Sequence, residues 1–213
     1  RSRWDLIDVA RATHALRPDG IVWPNREDGL TSFRLEDLTA ANGIDHGNAH
    51  DALADVLATI ALARLLSGAQ PALFDTLYAQ RGKQAIAPLL NCADPKPVIH
   101  VSGQFGGQRS NLAIVLPLAP HPKNKNEIIC ADLGEEPAFL DQSPEDIRQL
   151  LFMPKADFPA GKHRPPLKTI KINQAPVVLP TTWVGGEPAE RLKLDGEQTR
   201  ASLAAYRGAR QAD

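Results

Sequence analysis

The chain has 213 residues, of which 43% are hydrophobic, so it can bury one large core or two small ones. Its 24 Lys+Arg against 25 Asp+Glu give a formal net charge of -1, which neither indicates nor excludes a nucleic-acid partner. The two cysteines form no disulfide framework, and neither a signal peptide nor an apolar run of about 18 residues is evident, so we expect a globular cytoplasmic protein without a membrane segment.

Residues 1–70 show helical periodicity. Apolar residues from Leu6 to Leu16 recur at three- and four-residue steps, and Thr13 is the one polar member of this stripe. A second predicted helix follows His50 and runs to Gly68, where a C-terminal cap is expected. Its predicted buried stripe consists of Leu53, Val56, Leu57 and Ile60. Two helices bury too little surface to stand alone, so we expect the chain to begin within a domain.

Beyond Pro71 the pattern changes, and 18 prolines favour loops and short strands over a helical bundle. One short helix (72–80) precedes runs rich in β-branched residues, which predict strands at 98–102, 112–118, 127–131, 168–173 and 176–179. Ser143 is a predicted helix cap, and a last helix is expected over 197–207. The strand pattern predicts a small barrel over residues 71–213.

The segment from His50 to Asp55 suits metal-assisted phosphodiester hydrolysis. Asp55 can bind a hard cation through oxygen, and His50 can take a proton from the attacking water. One aspartate cannot supply a two-metal site, and about 100° per residue places the two side chains roughly 140° apart on a helix. A structural alternative makes Asp51 a helix-dipole partner and leaves the other two residues solvated. A rival hypothesis is an unrelated phosphohydrolase with a His50-Asp51 metal pair, joined by His46.

The pattern His50-x-Ala52-x-x-Asp55 is similar to the third motif of the DEDDh exonucleases. The flanking segments resemble the bacterial exodeoxyribonuclease I family over essentially the whole chain; they are residues 2–6, 15–18, 32–36, 41–44 and 100–103. The resemblance implies an α/β plus α+β fold class, in which the C-terminal part of an RNase H-like exonuclease domain (1–70) is followed by an SH3-like barrel domain (71–213). The family's upstream acids and its C-terminal helical domain have no counterpart in this sequence.

The resemblance also implies an activity, namely magnesium-dependent 3'-to-5' digestion of single-stranded DNA to mononucleotides. It assigns His50 as general base and Asp55 as Mg²⁺ ligand. Because the other metal-binding acids are missing, we expect this chain alone to be inactive. The alternative function is a non-enzymatic module that binds single-stranded DNA or protein, for which the barrel segment suffices.

Cations suggest where DNA binds. Five of them cluster near the fourth predicted strand and are opposed locally only by Asp157; they are Lys155, Lys162, Arg164, Lys168 and Lys171. A solvated loop with incidental charge is the alternative interpretation. The positions that the resemblance assigns to strand contacts are Arg34, Arg11, Lys168 and, more weakly, Asn126. Phe105 could stack on a base, although a barrel-edge phenylalanine is the simpler interpretation.

The family also binds the acidic C-terminal tail of single-stranded DNA-binding protein. Arg17, Lys96 and Arg207 match basic positions of that surface, whereas Thr76 stands where an aromatic residue is expected and Pro180 where an amide is expected. Each arginine alone could equally be an ordinary surface cation. We expect a monomer.

Overall fold

The computed structural model describes residues 4–45, 52–154, 157–158 and 164–212. Eight α-helices lie in these ranges: α1 (Leu6–Leu16), α2 (Leu35–Ala41), α3 (Ala52–Ala69), α4 (Pro71–Ala79), α5 (Lys83–Ile86), α6 (Pro144–Phe152), α7 (Glu187–Arg191) and α8 (Gly196–Ala212). Five strands accompany them: β1 (Val98–Val101), β2 (Leu112–Pro120), β3 (Glu127–Asp132), β4 (Leu167–Lys171) and β5 (Val177–Pro180).

Helix α1 has the predicted bounds and the predicted buried face. The Asp5 carboxylate accepts a hydrogen bond from the Ile7 amide at 3.1 Å, which caps the first turn. Thr13 is buried because its hydroxyl donates to the Val9 carbonyl at 2.9 Å. The buried face therefore accepts one hydroxyl without leaving a polar group unpaired.

Helix α3 buries the opposite face from the one predicted. Its buried residues are Ala58, Leu62 and Leu66, whereas the predicted stripe is exposed; Leu53, Val56, Leu57 and Ile60 are 65%, 54%, 56% and 42% exposed. The helix is apolar around most of its circumference, so periodicity could not distinguish its faces. The predicted cap at Gly68 is also wrong, since the helix continues to Ala69 and α4 starts at Pro71.

By length and composition alone, the 18-residue helix α3 could cross a membrane. Asp55 and Arg64 interrupt its apolar sequence, so the expectation of a chain without a membrane segment stays a prediction. One helix of this kind is weak evidence, because soluble proteins contain helices of similar composition.

The strands form one antiparallel five-stranded sheet with the order β4-β3-β2-β1-β5. Strand β1 pairs with β2 (Val98 opposite Val115) and with β5 (Val101 opposite Val177). On the other side of the sheet, β3 pairs with the edge strand β4, with Cys130 opposite Lys168. All five observed strands overlap the predicted ones. Both Cys92 and Cys130 are free cysteines.

Helix α1 packs on the sheet. Its buried residues share one apolar core with Leu62 and Leu66 of α3, Leu73 of α4 and strands β1 and β5. This core crosses residue 70, so the helical segment and the sheet are in direct contact. Side chains on the exposed flank of α1 consequently reach the turn between β1 and β2, where the candidate site lies. The domain boundary at residue 70 stays a prediction.

Candidate nucleic-acid interface

Lys168 is held by the turn that follows β1. Its ammonium group lies 3.2 Å from the Ser102 hydroxyl oxygen, also donates to the side-chain carbonyl of Gln104, and is 4.8 Å from the centre of the Phe105 ring. Burial lowers the pKa of Lys168, while the carboxylates of Asp8 and Asp132 oppose that shift. The lysine is thus a half-buried cation with a fixed position.

Arg11 approaches the same turn from α1. Its guanidinium pairs with the Asp8 carboxylate at 2.8 Å and lies 5.8 Å from the centre of the Phe33 ring. The third neighbour is Gly103, where a Cβ atom would lie only 2.9 Å from the nearest guanidinium nitrogen. The structure therefore brings Arg11 and Lys168, two of the predicted DNA-contact residues, to one four-residue turn.

Phe105 has a structural role. Its ring packs against the core of the sheet, meets His100 edge-on at 5.6 Å, and has Arg109 at 5.5 Å. Arg109 in turn binds buried Asp132 through two hydrogen bonds of 2.7 and 3.0 Å, and that carboxylate raises the Arg109 pKa. These contacts support the simpler interpretation of Phe105, because its ring already has fixed neighbours, and they anchor the turn to β3.

A cleft of about 210 Å³ joins these residues to the edge strand. Asp8, Ser102, Gln104, Lys168 and Lys171 are among the side chains that line it. Lys168 and Lys171 are three residues apart on β4, a distance of roughly 10 Å along a strand. The cleft thus brings two cations of the edge strand and one carboxylate to its lining.

Asn126 lies beyond the Lys171 end of this cleft. Its side-chain oxygen accepts a hydrogen bond from Lys83 at 2.7 Å, and its carbonyl accepts one from the Ile172 amide at 2.9 Å. Lys171 is 4.0 Å from the Glu127 carboxylate. Asn126 and Lys83 thus extend the polar surface past the end of β4.

Arg34 lies outside the cleft that Lys168 lines. It precedes α2, its side chain is 70% exposed, and it pairs with Glu36 at 3.1 Å. It lines a second cleft together with Phe33 and with Thr59 of α3. Phe33 is thus a neighbour of both arginines, since its ring centre also lies 5.8 Å from the Arg11 guanidinium.

Asp55 lies in the first turn of α3, where the Thr59 hydroxyl donates to its backbone carbonyl at 2.7 Å. His50, Asp51 and His46 fall outside the described residues. Within the described ranges, no group of three or more His, Cys, Asp or Glu residues could hold a metal ion. The carboxylate of Asp55 suits a hard cation, but it is one ligand of the several that are required.

The described histidines have structural partners. His14 Nε2 lies 3.1 Å from the Thr31 hydroxyl, and burial, with a smaller effect from Arg191, lowers the pKa of His14. His121 Nδ1 accepts hydrogen bonds from the Lys123 and Asn124 amides. Neither His14 nor His121 is placed as a further metal ligand, so the described histidines do not support the rival phosphohydrolase.

The predicted basic cluster is less isolated than the sequence indicates. Lys155 and Lys162 fall outside the described residues. Arg164 donates to the Met153 carbonyl at 2.8 Å and lines a cleft with Lys168, Asp132 and Glu135. Those two acids lie about 30 residues away in sequence, so a local count of charges that found only Asp157 could not include them.

The three residues assigned to partner binding have different neighbours. Arg17 donates to the Trp183 carbonyl at 3.2 Å and stacks on its ring at 5.2 Å, just after β5. Lys96 is 76% exposed and lines a cleft with Pro180, the last residue of β5. Arg207 lines an apolar groove that includes Pro95, next to Lys96. Thr76 turns its hydroxyl back to the Ala72 carbonyl.

Residues 81–212 match the family model described as the Exonuclease I SH3-like domain, so the chain belongs to the exonuclease I family. It is 46% identical over 203 residues to exodeoxyribonuclease I of Escherichia coli, a match that covers 95% of this chain and 42% of that protein. For the Haemophilus influenzae enzyme the identity is 44%, with 97% of this chain and 44% of that protein covered. The chain spans less than half the length of these relatives.

Solved structures of exonuclease I are also similar to this chain. E. coli Exonuclease I in complex with a dA16 oligonucleotide matches with a TM-score of 0.94 and 44% identity, over 98% of this chain and 44% of that chain. The E. coli protein also matches as an ExoI/SSB-Ct complex, with a TM-score of 0.91, 43% identity and the same two coverages. Its zinc-bound complex with ssDNA has a TM-score of 0.92, 44% identity and again the same coverages. These findings confirm the resemblance and the predicted fold class.

Proposed function

We propose that this chain is part of a magnesium-dependent exonuclease that degrades single-stranded DNA from the 3' end to mononucleotides in DNA repair and recombination. The observation that carries the proposal is the convergence of Arg11, from the helical segment, and Lys168, from the sheet, on the turn after β1. Two cations held against one turn suit a phosphate backbone. The likeness to an ssDNA-bound relative over 98% of the chain supports the choice of substrate.

The chemistry is assigned to the start of α3. Asp55 would hold a divalent cation through its carboxylate, and a bound cation supplies an activated water and neutralises charge on the phosphate. His50 would accept the proton of the attacking water. The zinc-bound form of the E. coli relative supports a divalent metal, and the choice of magnesium rests on the family resemblance.

The DNA path follows from the contacts described above. Arg34 lines a cleft with Phe33, and Arg11 is a neighbour of the same ring. Lys168 and Arg11 contact the same turn, and Asn126 lies past the far end of β4. A strand along this path would contact cations from α1 and β4 before it reaches Asn126. We propose these four residues as its principal contacts.

The exposed apolar face of α3 supports a longer parent protein. Leu53 and Leu57 are 65% and 56% exposed, on a side of the helix about 160° from Asp55. We propose that further residues of the exonuclease domain cover this face and supply the remaining metal ligands. The 213-residue chain alone would then bind DNA without cleaving it.

The partner surface is proposed at Arg17, Lys96 and Arg207. Basic residues beside apolar side chains suit an acidic peptide with an apolar end. The groove beside Arg207 is lined by Leu116, Phe139 and Tyr206, by a second cation, Arg210, and by the acids Glu136 and Asp141. The ExoI/SSB-Ct complex of the E. coli relative supports the C-terminal tail of single-stranded DNA-binding protein as the ligand. We also propose a monomer in the cytoplasm that does not enter a membrane.

A non-enzymatic DNA-binding module remains the second candidate. It is favoured by one observation, namely that Asp55 is the only proposed metal ligand in the part of the chain that the structure describes. The two candidates differ in what the full-length protein does to DNA.

The test uses the full-length protein that carries this chain, with single-stranded DNA labelled at either end. With magnesium, we expect a 3' label to be released as a mononucleotide in the first turnover, whereas a 5' label should remain on shortening strands. Duplex DNA of the same sequence serves as the control and should be digested much more slowly. Binding without release of either label would instead establish the non-enzymatic module.

A further inference from the structure

The turn after β1 contacts two of the proposed DNA-binding cations, Lys168 and Arg11. Ser102 and Gln104 accept hydrogen bonds from Lys168, and Phe105 lies beneath its ammonium group. Gly103, between them, faces Arg11 instead. Consecutive residues of one turn therefore hold a cation from β4 and leave space for a cation from α1.

The space at Gly103 is small. A Cβ atom there would lie 2.9 Å from Nη2, 3.0 Å from Cζ and 3.1 Å from Nη1 of Arg11. Ordinary contact between such atoms begins at about 3.5 Å, so the guanidinium would have to move by roughly half an ångström or adopt another rotamer. A hydrogen bond to phosphate tolerates distances of only about 2.7–3.2 Å, so such a movement would disturb it.

Position 103 does not require glycine for its backbone conformation. Gly103 has no positive φ, whereas Gly106 in the same loop has a φ of +77°. Alanine can therefore adopt the backbone conformation of Gly103. The atoms that a methyl group would meet are the far end of a flexible side chain, so the cost to folding is small.

Arg11 is otherwise fixed on two sides. Asp8 pairs with its guanidinium at 2.8 Å, and the Phe33 ring lies at 5.8 Å. Gly103 is the third neighbour, and together these contacts hold the guanidinium against the turn that also holds Lys168. A change at any one of the three neighbours would alter that position.

We propose that Gly103 is a positioning residue for single-stranded DNA binding: the absence of a side chain lets the Arg11 guanidinium lie against the turn, beside Lys168. This inference rests on the proposed function, in which Arg11 contacts the strand. It adds that a residue without a functional group determines where that contact is made.

The test measures binding of a fluorescently labelled oligo-dT by the 213-residue chain, over a series of salt concentrations. Arg11→Ala should weaken binding about tenfold, as expected when one charged hydrogen bond is removed. Gly103→Ala should weaken binding by about three- to tenfold without changing the melting temperature. It should also make the slope of log affinity against log salt concentration shallower by up to about 0.7. In the Arg11→Ala background, Gly103→Ala should have no further effect.

Gly107→Ala is the matched control. Gly107 lies in the same loop and also lacks a positive φ, but a Cβ there would meet the Leu30 side chain at 3.2 Å rather than a cation. Its affinity for oligo-dT should equal that of the wild type.

The outcomes separate the inference from the function on which it rests. Wild-type binding by Gly103→Ala, together with weakened binding by Arg11→Ala, would overturn the positioning role and leave the DNA path standing. Wild-type binding by Arg11→Ala would overturn both. Gly103→Ala could also weaken binding by the same factor in the Arg11→Ala background as in the wild type. Gly103 would then act independently of Arg11, which also overturns the positioning role.

Discussion

His100 should make the stability of the fold depend on pH. The residue is buried in β1, and its Nδ1 lies 2.8 Å from the Val177 carbonyl oxygen, so Nδ1 carries the proton and donates it. Burial lowers the pKa of His100 from 6.5 to about 4; the hydrogen bond to Val177 opposes this shift and the charge of Lys168 adds to it. The folded protein therefore holds His100 neutral.

The direction of the pH dependence follows from the pKa of His100 in the unfolded and folded chain. In the unfolded chain His100 binds a proton as the pH falls below about 6.5, whereas in the folded protein it does so only near pH 4. Its contribution to stability is thus fully present above pH 6.5 and is lost as the pH falls through this window. A difference of about 2.5 pKa units corresponds to roughly 3 kcal/mol of unfolding free energy.

The assay is urea denaturation of the wild type and His100→Asn between about pH 4 and pH 7. Asparagine can still donate to Val177 but does not titrate, so the variant should lose about 3 kcal/mol less than the wild type over this range. Carboxylates and His14 titrate in both proteins, and their contributions cancel in the difference. Any cost of the smaller side chain is independent of pH. Parallel stability curves for the two proteins would refute the reasoning.

Three further predictions concern DNA and the helix face. The 213-residue chain should release no mononucleotides from single-stranded DNA with magnesium, because one carboxylate cannot hold the ions; a gel assay of the pure chain checks this. Alanine at Lys162, Arg164 or Lys168 should weaken binding of all single-stranded sequences about equally. The slope of log affinity against log salt concentration should become shallower by roughly 0.7 for each phosphate contact that is lost, whereas an unchanged slope would mean that these residues form only a solvated loop. Leu57→Gln should change the unfolding free energy of this chain by less than about 0.5 kcal/mol, because Leu57 is already 56% exposed, but should cost the full-length protein about 2 kcal/mol in the same denaturation experiment.

The sequence predicted most secondary structure because its signals are local. Helix α1 has the predicted bounds, and Ser143 caps α6 as expected, with its hydroxyl oxygen accepting from the Asp146 amide at 3.2 Å. Short helices such as α2 and α5 escaped prediction, since four to seven residues carry too little periodicity. The face of α3 was wrong because that helix is apolar on most sides.

The candidate site was only partly predictable. Lys168 and Arg11 were expected from the resemblance, but the residues that hold them were not. Ser102 contacts Lys168 across 66 residues of sequence, and Gly103 meets Arg11 only because α1 packs on the sheet. Gly103 follows the predicted strand at 98–102, where glycine is typical of a turn, but no local pattern distinguishes a glycine needed for φ from one needed for space.

The most direct test of the proposed activity is single-turnover cleavage of 3'-labelled single-stranded DNA by the full-length protein, with substitutions at the two motif residues. Asp55→Asn should weaken metal binding and abolish cleavage together. His50→Ala should retain metal and DNA affinity but cleave more slowly by about a hundredfold or more, and the rising limb near neutral pH should disappear. Wild-type cleavage by His50→Ala across about pH 6 to 9, or by Asp55→Asn at any pH, would contradict the proposed roles.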